Sequence, residues 1–142
     1  MARISEKPTE KPTLVIPRRD RATGTVKPKV ICTVHFNDDE LGEMKKGKRY
    51  KLTCTLWGAD SLVNGDDDMV ALFSSKTFPK HNPTGKNDVK VTFEENVALD
   101  RLDEDDGTDD IIARVRLLNL SIQDKSNRVV DHKTTNEVQR DF

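Results

Sequence analysis

The sequence predicts an all-β fold, an antiparallel β-sandwich of jelly-roll type with about seven or eight strands. Three observations carry this. Several stretches alternate apolar and polar residues with period two, the pattern of strands buried on one face. Turn-forming clusters separate those stretches: Asn64-Gly65, Pro83-Thr84-Gly85, Gly107 and Asp124-Lys125-Ser126-Asn127. Only one segment reads as a helix. A chain of 142 residues is long enough for a single core of ordinary size.

Two segments follow in order, an extended basic arm over 1–28 and a sandwich domain over 29–142. The arm opens with a tandem tetrapeptide, Glu6-Lys7-Pro8-Thr9 and then Glu10-Lys11-Pro12-Thr13, and holds four of the six prolines. Proline fixes φ and biases the residue before it toward extended geometry, so the arm is not helical. Leu14, Val15 and Ile16 form a short apolar patch able to add a strand to a sheet edge. With Arg18, Arg19 and Arg21 they are the candidate residues for docking a protein partner or a second copy.

In the body, alternation marks strands over 30–36, 50–56, 89–93 and 111–118. Residues 69–73 (Met-Val-Ala-Leu-Phe) lack alternation and read as a strand buried on both faces. Residues 128–130 and a segment near Val138 read as weaker C-terminal strands. The helix is expected at 38–46. Asn37 can cap it with Glu40 completing a capping box, the acids Asp38 to Glu40 and bases Lys45 and Lys46 match the helix dipole, and Gly47 supplies the stop. Leu41 and Met44 would face the sheet.

If 30–36 and 50–56 were neighbouring antiparallel strands with Phe36 opposite Tyr50, Cys32 would face Cys54. Without that pairing they are two reduced, buried cysteines. Trp57 would lie on an outer face beside Ile31.

The net charge of −1 conceals an asymmetry: residues 1–29 carry +5 and the remainder −6. Of the 25 acids, 11 fall in two segments, 60–68 and 100–110, which hold a single base, Arg101. On an up-and-down strand path both segments come to one end of the sandwich. Crowded carboxylates favour hard cations, and Ca²⁺ takes six to eight oxygens from flexible loops. The candidate metal ligands are Asp60, Asp66, Asp67, Asp68, Asp103, Asp105, Asp106 and Asp109. Architecturally this resembles C2-type sandwiches, in which aspartates from loops at one end hold calcium, and the fold expectation can equally be written as C2-like. The resemblance brings no residue-level motif with it.

No GxSxG, P-loop, GxGxxG or HExxH motif occurs, and the three histidines share no ligand spacing. Aromatics at 5% are too few to line a glycosidase cleft or to build stacking platforms for single-stranded nucleic acid. No apolar run approaches a membrane span and no leader with an apolar core is visible, so a cytoplasmic location is expected. The expectation is a non-catalytic binding or assembly module, with the acidic loops 58–68 and 100–110 as its candidate Ca²⁺ site. The alternative is a structural subunit of a larger self-assembling particle that uses its arm and its oppositely charged ends.

Overall fold

Strands with one apolar face can bury it only against another apolar face. The computed structural model meets this requirement with two antiparallel sheets facing each other. It describes residues 2–4, 11–17, 24–58, 68–98 and 109–140. The strands are β1 (Arg3–Ile4), β2 (Thr13–Val15), β3 (Thr25–Val26), β4 (Lys29–His35), β5 (Tyr50–Gly58), β6 (Asp68–Leu72), β7 (Lys76–Phe78), β8 (Asp88–Glu94), β9 (Val97–Ala98), β10 (Asp109–Asn119), β11 (Val129–Thr134) and β12 (Val138–Arg140), with one helix, α1 (Asp38–Lys45). The expected all-β sandwich and its single short helix are the observed architecture, with additional strands of two or three residues.

In the first sheet β8 runs the full length of β4, and β1 and β2 share β4's other edge, one after the other. In the second, β5 and β10 form the centre over nine paired positions. β6 and β7 share the free edge of β5, and β11 and β12 that of β10. A two-stranded ribbon joins β3 to β9.

The alternation fixes what each central strand buries. Val30, Cys32 and Val34 of β4, Leu52, Cys54 and Leu56 of β5, and Ala113, Val115 and Leu117 of β10 all point into one core. Near α1 the core is aromatic: Phe36 meets Tyr50 and Phe78 edge-on, each at 5.2 Å between ring centroids. The helix begins as its sequence requires. The Asn37 side chain accepts from the Glu40 amide at 2.8 Å, and Glu40 Oε1 accepts from the Asn37 amide at 3.0 Å. Gly47 ends it at φ 115°, a conformation open to glycine. Met44 is buried and Leu41 packs beside it.

The described residues of 1–28 are extended, as their prolines imply, and they lie in the sheets. Leu14 and Ile16 are buried at 2% and 0% exposure, so of the proposed docking triplet only Val15 faces outward. The correction has a simple cause: β2 alternates, and its inner face completes the domain's own core. Arg18, Arg19 and Arg21 lie outside the described residues.

Side chains from distant elements receive the edge amides of this segment. Ala2 N donates to Glu40 Oε2, Ile4 N to Asp131 Oδ2 at 2.7 Å, and Leu14 N to Asn136 Oδ1 at 2.8 Å. Asn136 Nδ2 returns a bond to Leu14 O at 3.1 Å.

Three further expectations are corrected. The supposed pairing of 30–36 with 50–56 does not occur: Cys32 pairs with Val91 and Cys54 with Val115, because α1 carries the chain from one sheet to the other between β4 and β5, and both cysteines are the buried free thiols expected without that pairing. Residues 69–73 are not buried on both faces: Met69 and Leu72 are 54% and 67% exposed, since β6 is an edge strand with an irregular register beside Trp57. Trp57 lies opposite Ile112 and Met69, whereas Ile31 belongs to the other sheet.

Asn136→Ala is expected to destabilise the domain by about 1–3 kcal/mol by stranding the Leu14 amide and carbonyl. Denaturant titration measures the loss. Hydrogen exchange should show faster exchange at the Leu14 amide, with the central strands β5 and β10 still the slowest.

Candidate functional site

β5 leaves the second sheet at Gly58. In register, Gly58 pairs with Asp68 on one side and with Ile111 on the other. The termini of β5, β6 and β10 therefore meet at one end of the sheet, and β12 ends there as well, with Arg140 opposite Asp109. The same-end arrangement expected for the two acidic segments thus holds for the end of β5 and the starts of β6 and β10. Asp68 and Asp109 are the first residues of β6 and β10. Asp60, Asp66, Asp67, Asp103, Asp105 and Asp106 lie outside the described residues. Among the described residues no group of three or more His, Cys, Asp or Glu is placed to hold a metal ion.

The outer face of this sheet carries a feature that the alternation alone did not single out. Because Ile111, Ala113, Val115 and Leu117 point inward, Ile112, Arg114, Arg116 and Leu118 point outward. Across the sheet, Arg114 stands between Thr55 and Thr134, and Arg116 between Thr53 and His132. The Arg114 guanidinium sits over the Trp57 ring at 4.3 Å, and Trp57 Nε1 donates to Thr55 Oγ1 at 2.7 Å. A groove of about 410 Å³ follows the β10–β11 seam. The sequence signal was present as Arg-Val-Arg on a strand, but only the partner register shows that His132 joins it.

At the opposite end, α1 and the turn after β7 enclose a hollow of about 430 Å³ lined by Asp38, Leu41, Met44, Lys45, Asn82 and Thr84. Its polar groups are largely committed. Asn82 Nδ2 donates to Lys86 O at 2.9 Å and Asn82 Oδ1 accepts from Lys86 N at 3.0 Å, while Asp38 Oδ1 accepts from Asn87 Nδ2 at 3.0 Å. Nearby, Glu40 accepts from Ala2, Asn37 and the Tyr50 hydroxyl, so this buried carboxylate is a structural acceptor. Burial first, and then the charge on Glu40, pushes the Tyr50 phenol up.

The thiols are equally structural. Burial pushes Cys32 up to about 12, and burial together with the neighbouring Cys32 pushes Cys54 up as well.

No family model and no curated protein matches the chain. Solved structures do. A glycosyl hydrolase family 2 member from Bacteroides cellulosilyticus matches with a TM-score of 0.55 at 12% identity, over 97% of this chain and 14% of that one. A second structure of a family 2 member, from Bacteroides cellulosilyticus DSM 14838, gives 0.53 at 12% identity over 97% and 15%. A bacterial adhesin from Mobiluncus mulieris, which contains intramolecular disulfide, isopeptide and ester bond cross-links, gives 0.51 at 10% identity over 94% and 48%. At these identities the likeness is one of fold, and the chain spans less than half of each of these chains.

Both cysteines should resist iodoacetamide at pH 8 in the native protein, where a thiol of pKa near 12 is only about one part in ten thousand thiolate. Mass spectrometry should find both alkylated once the protein is denatured. Rapid native alkylation would contradict the burial described for them.

Proposed function

We propose that the chain is a non-catalytic β-sandwich binding module whose contact end is the one where β6 and β10 begin, with Ca²⁺ as the ligand of its carboxylates. The supporting observation is the shared register of Gly58 with Asp68 and Ile111, which brings together the end of β5 and the starts of β6 and β10, beside two segments that together hold 11 of 25 acids. Asp60, Asp66, Asp67 and Asp68 from one segment and Asp103, Asp105, Asp106 and Asp109 from the other supply more oxygens than a six- to eight-coordinate Ca²⁺ needs. A bound cation would relieve carboxylate repulsion and order a surface for a partner. The reading as a β-sandwich module is supported by the fold neighbours, a portion of a family 2 glycosyl hydrolase and about half of an adhesin chain. No helix among the described residues is long and apolar enough to cross a membrane.

A second reading, a structural subunit of a self-assembling particle, is favoured by Met69 and Leu72, which stand exposed on the edge strand β6. Deleting residues 1–28 would strip Leu14 and Ile16 from the core and so report on folding before docking. Light scattering of the whole chain is the suitable measurement. A native mass above the monomer that falls after Leu72→Lys supports assembly, and a monomer at low and high salt excludes it.

Calcium at about 100 times its dissociation constant should stabilise the native state by roughly 2.7 kcal/mol, a rise of several degrees in Tm. Asp66→Asn and Asp105→Asn should each abolish most of that rise while leaving the metal-free Tm nearly unchanged. No shift at millimolar calcium would remove the metal from the proposal.

A further inference from the structure

We propose that β8 is a docking edge for a second copy of this chain, the two β8 strands pairing antiparallel about a two-fold axis at Thr92. Along one side β8 pairs with β4 over seven positions without a register shift. Among the described residues no other strand, turn or side chain bonds to its far side. The remaining edges are broken or capped. β6 and β11 each carry a register shift against their partners, and β7 and β12 have three residues each. On β1 and β2 the Ile4 and Leu14 amides are taken by Asp131 and Asn136. Short, bulged or covered edges resist pairing with another chain, whereas a long regular one invites it.

The occupant follows from the strand's own sequence, Asp-Val-Lys-Val-Thr-Phe-Glu. Two-fold pairing keeps the inner faces of both copies on one side, so the axis must fall on a residue. On Lys90 it sets Lys90 against its copy, and on Val91 it sets Asp88 against Glu94 twice. On Val89 or Phe93 only three residues of the strand engage. On Thr92 it sets Lys90 against Glu94 twice, Val91 against Phe93 twice and Thr92 against Thr92. Opposite charges, a β-branched residue against an aromatic, and threonine against threonine are all stabilising cross-strand pairs. Lys90 is exposed, faces Thr33 on β4, and is in no ion pair among the described residues. Glu94 meets Lys27 at 3.8 Å with 40% of its side chain exposed, so its carboxylate is open to a second cation. Ser74 ties the end of β6 to Glu95, which brings the exposed Leu72 to the same side of the sandwich. The inference rests on the self-assembly reading and names its surface, and it uses none of the carboxylates proposed for calcium.

The test is sedimentation of the full chain in EDTA. Pairing through one strand edge buries less than the roughly 1,200 Å² of a stable interface, so the series runs from about 10 μM to about 1 mM. A concentration-dependent dimer is expected. Lys90→Glu and Glu94→Lys should each weaken it at least about tenfold, because each sets like charges opposite one another at both ends of the pairing. An equimolar mixture of the two variants should dimerise again, since every like pair then becomes an opposite one. Lys125→Glu, in the turn after β10, should leave the dimer unchanged. Both β8 residues are exposed, so the variants' melting curves should match the parent's; Lys90→Ala and Glu94→Ala provide the same test should a charge reversal unfold the domain. A monomer throughout the series overturns the proposal together with the self-assembly reading. Association that survives both variants overturns the proposal alone and leaves assembly to another surface, such as Leu72. Loss in each variant without recovery in the mixture overturns the pairing about Thr92.

Discussion

A backbone amide on an edge strand that packs into a core must find an acceptor, and at Ala2, Ile4 and Leu14 the acceptors are side chains 38, 127 and 122 residues away. The rest of the architecture depends on those bonds. β1 and β2 extend the first sheet past β4, and their Ile4 and Leu14, with Ile16, complete that sheet's share of the core. Asp131 and Asn136 belong to and follow β11, on the facing sheet. The seam between the sheets is thus closed by side chains bridging two edges. At the other seam Ser74 donates from its amide and hydroxyl to Glu95, beside the Phe73–Phe93 contact.

Glu40 links this closure to the helix. One carboxylate completes the capping box, receives the Ala2 amide and accepts from Tyr50, whose ring in turn meets Phe36. A helix of eight residues is too short to be stable by propensity alone. Here it is held by its cap, by Met44 in the core and by a carboxylate shared with the N-terminal strand.

Much of this was legible. The alternation of Val30 to Phe36, Tyr50 to Leu56 and Ile111 to Leu117 named nearly all of the central core, because burial on one face leaves a period-two trace in any strand long enough to show it. The helix announced itself through Asn37, Glu40 and Gly47. What stayed hidden was partnership. Nothing local distinguishes a strand that returns to its neighbour from one that crosses to the facing sheet, so alternation alone leaves Cys54 open as a cross-strand neighbour of Cys32, whose partner is Val91. Short edge strands such as β1 and β7 carry too few residues for a period. The acidic end was legible as composition, and its convergence depended on strand order. The outer face of β10 and β11 was the least visible, since His132 joins Arg116 only through a register that pairs residues 16 apart.

The clamps on the N-terminal strands set the timing of folding. The acceptors of the Ile4 and Leu14 amides, Asp131 and Asn136, lie 127 and 122 residues further along the chain. Contacts of such long range carry a high loop-closure cost and form slowly. Closure of this edge is therefore a late step of folding, and until it forms β1 and β2 are open to pairing with other edges.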